Sequence, residues 1–196
     1  MTLHSDYRLL TSVILPYRGR QKYMHGFDIT NPVMAEGYED YLDPVLLLLH
    51  AAGATHGQAW MTVDEKIVKA GMSQRRPGPH VDGCFQPAMN WWGQQEERWN
   101  HTCNNIERAE PFKRMPIIVA ASVPGCRAWR GVFDGAPDAG GDLSHIQDQL
   151  QDGVVIPAGM GALLSPDCVH ESMIFTQDTQ RTFLRIALPT SFEFKG

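Results

Sequence analysis

Short apolar runs separated by Gly, Pro and Asp residues dominate the sequence from residue 58 onward. Runs of this length bounded by turn residues are typical of β-strands, whereas helices show longer segments with a 3.6-residue period. Eight strands are what a two-sheet jelly roll requires, so the pattern predicts a mainly β fold with a few flanking helices. The predicted strands are 60–68, 73–84, 115–122, 127–133, 153–156, 160–164, 168–175 and 181–188.

Two segments instead favour helices. Asp43 and Pro44 form a suitable N-cap and first-turn pair before the apolar run 45–52, and Gly53 is a suitable stop. We expect this helix to pack on the outside of the sheet. A second, short helix is predicted over 143–150, after Asp142.

The length of 196 residues fits a single domain, 1–196. Residues 1–57 are predicted to support the fold with a strand or two around 9–15 and the first helix. The β core is expected over 58–190, with a loop insertion at 84–114. This loop holds three of the five tryptophans in a polar stretch.

The final predicted strand carries an unusual pair of charges. Strand alternation places Arg181, Phe183, Arg185 and Ala187 on one face and only apolar residues and Thr182 on the other. If the arginine face is the inner one, its guanidinium groups must reach solvent or meet a buried anion. A carboxylate is a suitable anion, because it can accept two parallel hydrogen bonds from a planar guanidinium group.

His80, Asp82 and the distant His170 form the most informative group in the chain. Residues two apart in a strand point to the same side, so His80 and Asp82 can face one ion together. Two imidazoles and a carboxylate are the ligand set that holds non-haem Fe(II) on one face and leaves the opposite positions open. Alone, an H-x-D step is more often an ordinary hydrogen-bonded pair.

The order H-x-D, distal His, then Arg on the last strand resembles the Fe(II)/2-oxoglutarate-dependent dioxygenase superfamily. The resemblance covers roughly residues 58–190 and implies a double-stranded β-helix, a cupin-like jelly roll. It implies that His80, Asp82 and His170 bind Fe(II) and that Arg181 holds the distal carboxylate of the co-substrate 2-oxoglutarate, with Arg185 as the second candidate. O2 would be the other co-substrate, and a small molecule or amino-acid derivative would be hydroxylated.

Other functions share parts of this pattern. A cupin-type metalloprotein that does not use 2-oxoglutarate would have the same fold, although cupins usually place two histidines and a glutamate in the first cluster. A non-catalytic β-helix module would carry the H-x-D by chance. Oxidation of a nucleobase or nucleotide by the same chemistry is a further alternative, with the base stacked on Trp91 or Trp92.

Arg75 and Arg76, just before the H-x-D, are weak candidates for binding an anionic substrate group, because surface solvation is the usual role of such residues.

Composition narrows the possible partners and compartment. With 43% hydrophobic and 20% charged residues the sequence is that of an ordinary globular protein, and the net charge of −5 gives no attraction for a nucleic-acid backbone. The four cysteines lack C-x-x-C spacing and are expected to be free thiols. No secretory signal or membrane-spanning segment is evident, so a cytoplasmic enzyme is expected.

Overall fold

The computed structural model describes residues 1–82, 114–138 and 141–195. The fold is mainly β, with 40% strand and 13% helix. The described residues contain one α-helix, α1 (Leu42–Ala52), and two 3-10 helices, Glu39–Tyr41 and Ser144–Gln149. The strands are β1 (Thr2–Ser5), β2 (Tyr7–Ser12), β3 (Gln21–Asp28), β4 (Gln58–Val68), β5 (Ile117–Ala121), β6 (Cys126–Ala128), β7 (Gly131–Asp134), β8 (Val154–Val155), β9 (Met160–Leu164), β10 (His170–Ser172) and β11 (Thr179–Ala187).

These strands form three antiparallel sheets. The large sheet has the order β2-β9-β5-β11-β4-β3, and the small sheet has the order β10-β6-β8. Strands β1 and β7 form a separate pair. His80 bridges His170 and so extends the small sheet beyond β10. The long final strand β11 thus lies in the middle of the large sheet, between β4 and β5.

The large sheet is covered on both faces. On its outer face Leu184 and Ile186 of β11 belong to the same buried cluster as Val45 and Leu48 of α1. On its inner face a second cluster joins residues of β5, β9 and β11 to residues of the small sheet, among them Cys126 and Ala128. Burying a leucine such as Leu184 fully stabilises the fold by about 1.5–3 kcal/mol, so the two apolar layers fix which face of β11 points inward.

The expected helix is present and packs outside the large sheet, as predicted. Its N-cap assignment was wrong: the N-cap is Tyr41, and Asp43 and Pro44 lie in the first turn. The reason is the 3-10 helix before it, which runs directly into α1 and starts the helix earlier. The helix ends at Gly53, whose φ of 80° is the left-handed conformation that glycine adopts without strain.

Several strand boundaries differ from the prediction. The segment 73–82 makes only isolated bridges, at Ser73 and His80, because Pro77 and Pro79 cannot donate to a ladder. The predicted strand 127–133 is two strands, β6 and β7, which join different sheets. Strands β1 and β3 were not predicted, and the predicted loop insertion 84–114 falls almost entirely outside the described residues.

Candidate metal centre

His80, Asp82 and His170 come together at one end of the small sheet, and we call these three residues the triad. Their candidate ligand atoms all lie within 4.8 Å of one another. The Nε2 atoms of both histidines are 3.9 Å from Oδ1 of Asp82. Both imidazoles are buried, whereas Asp82 is 23% exposed. The sequence therefore identified three residues, separated by up to 90 positions, that the fold places in contact.

The backbone explains why the two imidazoles meet. His80 and His170 are directly opposite each other and exchange two hydrogen bonds, each N–H donating to the other carbonyl at 2.9 Å. Residues opposite each other in an antiparallel pair project their side chains to the same face. The ring centroids are accordingly 4.4 Å apart.

Each imidazole is also oriented by its own chain. Nδ1 of His80 donates to the carbonyl of Gly78 at 2.8 Å, and Nδ1 of His170 donates to the carbonyl of Cys168 at 3.0 Å. A carbonyl can only accept, so in the neutral rings the proton lies on Nδ1 and the lone pair on Nε2 faces the centre of the triad. Such a second hydrogen bond fixes the tautomer of a metal-binding histidine.

The electrostatics favour the ligand form of each group. Burial, and then the proximity of His170, lower the pKa of His80 to about 3, so its ring is neutral at neutral pH. Burial alone would raise the pKa of Asp82, but the Arg185 guanidinium and the two imidazoles lower it far below its usual value. The group therefore presents one carboxylate and, at His80, a neutral imidazole, which are the forms that bind a cation.

The triad fits a divalent transition metal. Two ligand atoms bound at about 2.0–2.2 Å to one octahedral or tetrahedral ion lie about 3.0–3.5 Å apart, so the 3.9 Å separations would have to close by less than about 1 Å when a metal binds. Two imidazole nitrogens and one carboxylate oxygen are also the donor set of non-haem ferrous sites. Zn²⁺ accepts the same donors, so the donor set selects a class of metal rather than one element.

Arg185 supports the triad from β11. Its Nη1 donates to Oδ2 of Asp82 at 2.8 Å, which leaves Oδ1 facing the two imidazoles. Nη2 lies 3.3 Å from Sδ of Met24, and Nε is buried without a hydrogen-bond partner among the residues that the structure describes. The arginine thus holds the Asp82 carboxylate in place and keeps it ionised.

Arg181 lies on the same inner face and is only 1% exposed. Its Nε donates to the carbonyl of Val123 at 2.8 Å, and Nη1 donates to Oε1 of Gln74. Within the described part of the chain no carboxylate lies within 4.0 Å of its guanidinium, and burial lowers its pKa to about 10. A buried cation without an anionic partner is costly, so Arg181 is suited to bind the anion of a ligand.

The remaining predicted site residues separate into two groups. Arg75 reaches the inner face: it lies 3.8 Å from Asp64 and 5.6 and 5.7 Å from the ring centroids of Tyr23 and Phe183. Arg76 is half-buried, and its charge opposes protonation of His80. Trp91 and Trp92 lie outside the described residues.

Three inner-face residues were not predicted from the sequence. Gln74 accepts a hydrogen bond from Arg181 and donates to the carbonyl of Asp64. Asp64 is fully buried on β4 beside Phe183 of β11, and Tyr23 lies on β3. The charged run Asp64-Glu65-Lys66 in the middle of β4 is the sequence signal that could have indicated this cluster.

The chain matches no family model, no curated protein and no solved structure. Among the described residues, no helix has both the length and the apolar character needed to span a membrane.

Proposed function

We propose that this protein is an Fe(II)- and 2-oxoglutarate-dependent dioxygenase that hydroxylates a small molecule. The observation that carries the proposal is the buried triad, in which two imidazole nitrogens and one carboxylate oxygen converge to within 4.8 Å. Arg181 supports the co-substrate assignment, because it is buried on the same face without a carboxylate partner among the described residues.

The strand order supports a double-stranded β-helix. In the large sheet the central order is β9-β5-β11-β4, and the small sheet reads His80-β10-β6-β8. Along the chain, β4, His80, β5 and β6 alternate between the two sheets, and so do β8, β9, β10 and β11. This alternation is what the resemblance of the sequence to the dioxygenase superfamily implies.

Each of these residues would have a defined role in binding or orienting the reactants. Nε2 of His80, Nε2 of His170 and Oδ1 of Asp82 would bind the ferrous ion on one side and leave the other side for reactants. Iron, 2-oxoglutarate and O2, when bound, would supply the oxidising chemistry. Arg185 keeps Asp82 charged and aimed at the metal, and Arg181 would hold the distal carboxylate of 2-oxoglutarate.

Space beside Arg181 is limited. The cavity there lies between the two sheets, is lined by Val119, Ala121, Cys126 and Phe183 among others, and holds about one water molecule. Binding of 2-oxoglutarate would therefore require the Phe183 side chain to move. Phe183 lies between Arg181 and Arg185 in sequence and on the same face of β11. Its movement would therefore open space between the Arg181 guanidinium and the triad.

Anaerobic titration tests the proposal directly. Adding Fe(II) and then 2-oxoglutarate to the metal-free protein should produce a weak visible absorption band, and Asp82→Ala should abolish it. Arg181→Met should raise the 2-oxoglutarate concentration needed for the band without changing the Fe(II) affinity, whereas Lys69→Met, which removes an exposed cation, should change neither. Metal binding without a response to 2-oxoglutarate would indicate a cupin-type metalloprotein instead, and no metal binding would refute the proposal.

A further inference from the structure

A second group of charged residues lies on the inner face, next to the triad. Asp64 on β4 is fully buried, and its Oδ2 has no hydrogen-bond partner among the described residues. Lys66 and Arg75 lie 3.2 and 3.8 Å from this atom, and Gln21 donates to Oδ1 at 2.7 Å. None of these residues contributes to the triad or to the Arg181 contacts described above.

Arg75 is the residue of this group whose backbone is hydrogen-bonded to β10, at Ser172, two residues after His170. Its guanidinium lies between the rings of Tyr23 and Phe183, at 5.6 and 5.7 Å from their centroids. Burial and the charge of Arg185 lower its pKa, while the charges of Asp64, Tyr23 and Asp82 act in the opposite direction. Arg75 is thus close enough to sense both Arg185 and the metal-binding carboxylate.

Two hydrogen bonds hold the backbone of Arg75. Its backbone N–H donates to Oγ of Ser172 on β10 at 3.2 Å, and its carbonyl accepts from Oγ of Ser73 at 2.7 Å. The one carboxylate within ion-pair range among the described residues is Asp64, and 3.8 Å is too long for a direct hydrogen bond. With 22% of its side chain exposed, the guanidinium can bind a ligand that approaches from the open side.

The local charge also favours an anion. Fe(II) and the dianion 2-oxoglutarate would cancel each other, so the balance of the protein side chains persists in the loaded enzyme. In a low-dielectric site, an excess of positive charge attracts a complementary anion. On the inner face the described residues provide four cations, Lys66, Arg75, Arg181 and Arg185, against two carboxylates, Asp64 and Asp82.

We propose that Arg75 binds a carboxylate of the substrate and holds it beside the metal, so that the enzyme acts on small carboxylic acids. This inference rests on the proposed function, since it assumes a metal at the triad. The planar guanidinium can pair bidentately with a carboxylate or a phosphate, but the nearby Asp64 carboxylate would repel the second negative charge of a phosphate, which favours a carboxylate.

The test uses Mn(II) as a paramagnetic probe in place of iron, so that no turnover is needed. The protein, in excess over Mn(II) and saturated with 2-oxoglutarate, is mixed with isobutyrate, isobutyramide or methyl phosphate, and the relaxation of the probe's methyl protons is measured. Electron paramagnetic resonance first establishes that Mn(II) is bound. The wild-type protein should relax isobutyrate much more strongly than the neutral amide or the phosphate.

Three variants make the assignment specific. Arg75→Met should reduce the effect on isobutyrate about tenfold or more, as expected for loss of a charge-assisted bidentate pair. Arg75→Lys should retain part of the effect, and Lys69→Met, which removes an exposed cation paired with Asp178, should retain all of it. Thermal unfolding verifies that each variant is folded.

The outcomes separate the two proposals. If Mn(II) binds but Arg75→Met relaxes isobutyrate as the wild type does, or the amide is relaxed equally, the role of Arg75 is refuted and the metal site stands. Preferential relaxation of methyl phosphate would refute the substrate class. If Mn(II) does not bind, both the proposed function and this inference fail.

Discussion

The ion pair between Asp82 and Arg185 gives the Asp82 carboxylate a structural role in addition to the proposed binding of a metal. The pair is 2.8 Å long, and Arg185 is only 11% exposed. Asp82→Ala would leave a buried guanidinium whose remaining hydrogen-bonding neighbour, within the described ranges, is the sulfur of Met24. Breaking a fully buried pair from one side costs about 3–5 kcal/mol. Since Asp82 is 23% exposed and water screens it in part, we expect Asp82→Ala to destabilise the metal-free protein by about 1–3 kcal/mol.

A double-mutant cycle isolates the contribution of this ion pair to the free energy of unfolding. Urea unfolding of the metal-free wild type, Asp82→Ala, Arg185→Met and the double variant should give a coupling energy of about 1–3 kcal/mol, with unchanged dependence on urea. The double variant should be more stable than Asp82→Ala, because the unpaired charge is gone. The exposed pair Lys69–Asp178 serves as a control and should show no measurable coupling. A coupling below about 0.5 kcal/mol for Asp82 and Arg185 would refute the reasoning.

Three further predictions concern the co-substrate, pH and packing. Arg181→Met should raise the KM for 2-oxoglutarate at least tenfold while the requirement for Fe(II) stays constant, as steady-state succinate release would measure; if Arg185→Met gave that effect instead, the two arginines would exchange roles. The pKa of His80 is lowered to about 3, so the unfolded chain binds a proton that the folded chain does not, and stability rises with pH between about 3 and 6.5. Metal-free protein should therefore lose about 2 kcal/mol on going from about pH 6.5 to 5, and His80→Gln should lose less; an equal loss in urea unfolding would contradict the assignment. Gly161→Ala should lower the unfolding free energy by about 1–3 kcal/mol because its Cβ would overlap Leu48 of α1, and the smaller side chain of Leu48→Ala should reduce that penalty if the overlap is its cause.

The sequence predicted the parts of the site that depend on local rules. Alternation along β11 placed Arg181 and Arg185 on one face, and the structure confirms that this face is the inner one. The spacing of His80 and Asp82 predicted that both side chains could face one point. Their contact with His170 could be expected only from the resemblance to a known family, since no local pattern pairs residues 90 positions apart.

The unpredicted parts depend on long-range pairing. Nothing local distinguishes Gln74 from an exposed polar residue, yet its amide bridges Arg181 and the backbone of β4. Arg75 looked like a solvated surface residue, and only the packing of β3 and β11 places it between Tyr23 and Phe183. The division of 127–133 into two strands was likewise hidden, because it depends on distant partners: β6 pairs with β10 and β8, whereas β7 pairs with β1.

The reciprocal hydrogen bonds between His80 and His170 tie the geometry of the ligands to the alignment of two chain segments. Because side chains alternate along extended chain, sliding one segment past the other by a single residue would bring Val81 or Val169 to the metal-facing side and turn an imidazole away. A bound ion would therefore stabilise the native register of these two segments relative to registers shifted by one residue. In such a protein the metal would contribute to conformational specificity as well as to chemistry.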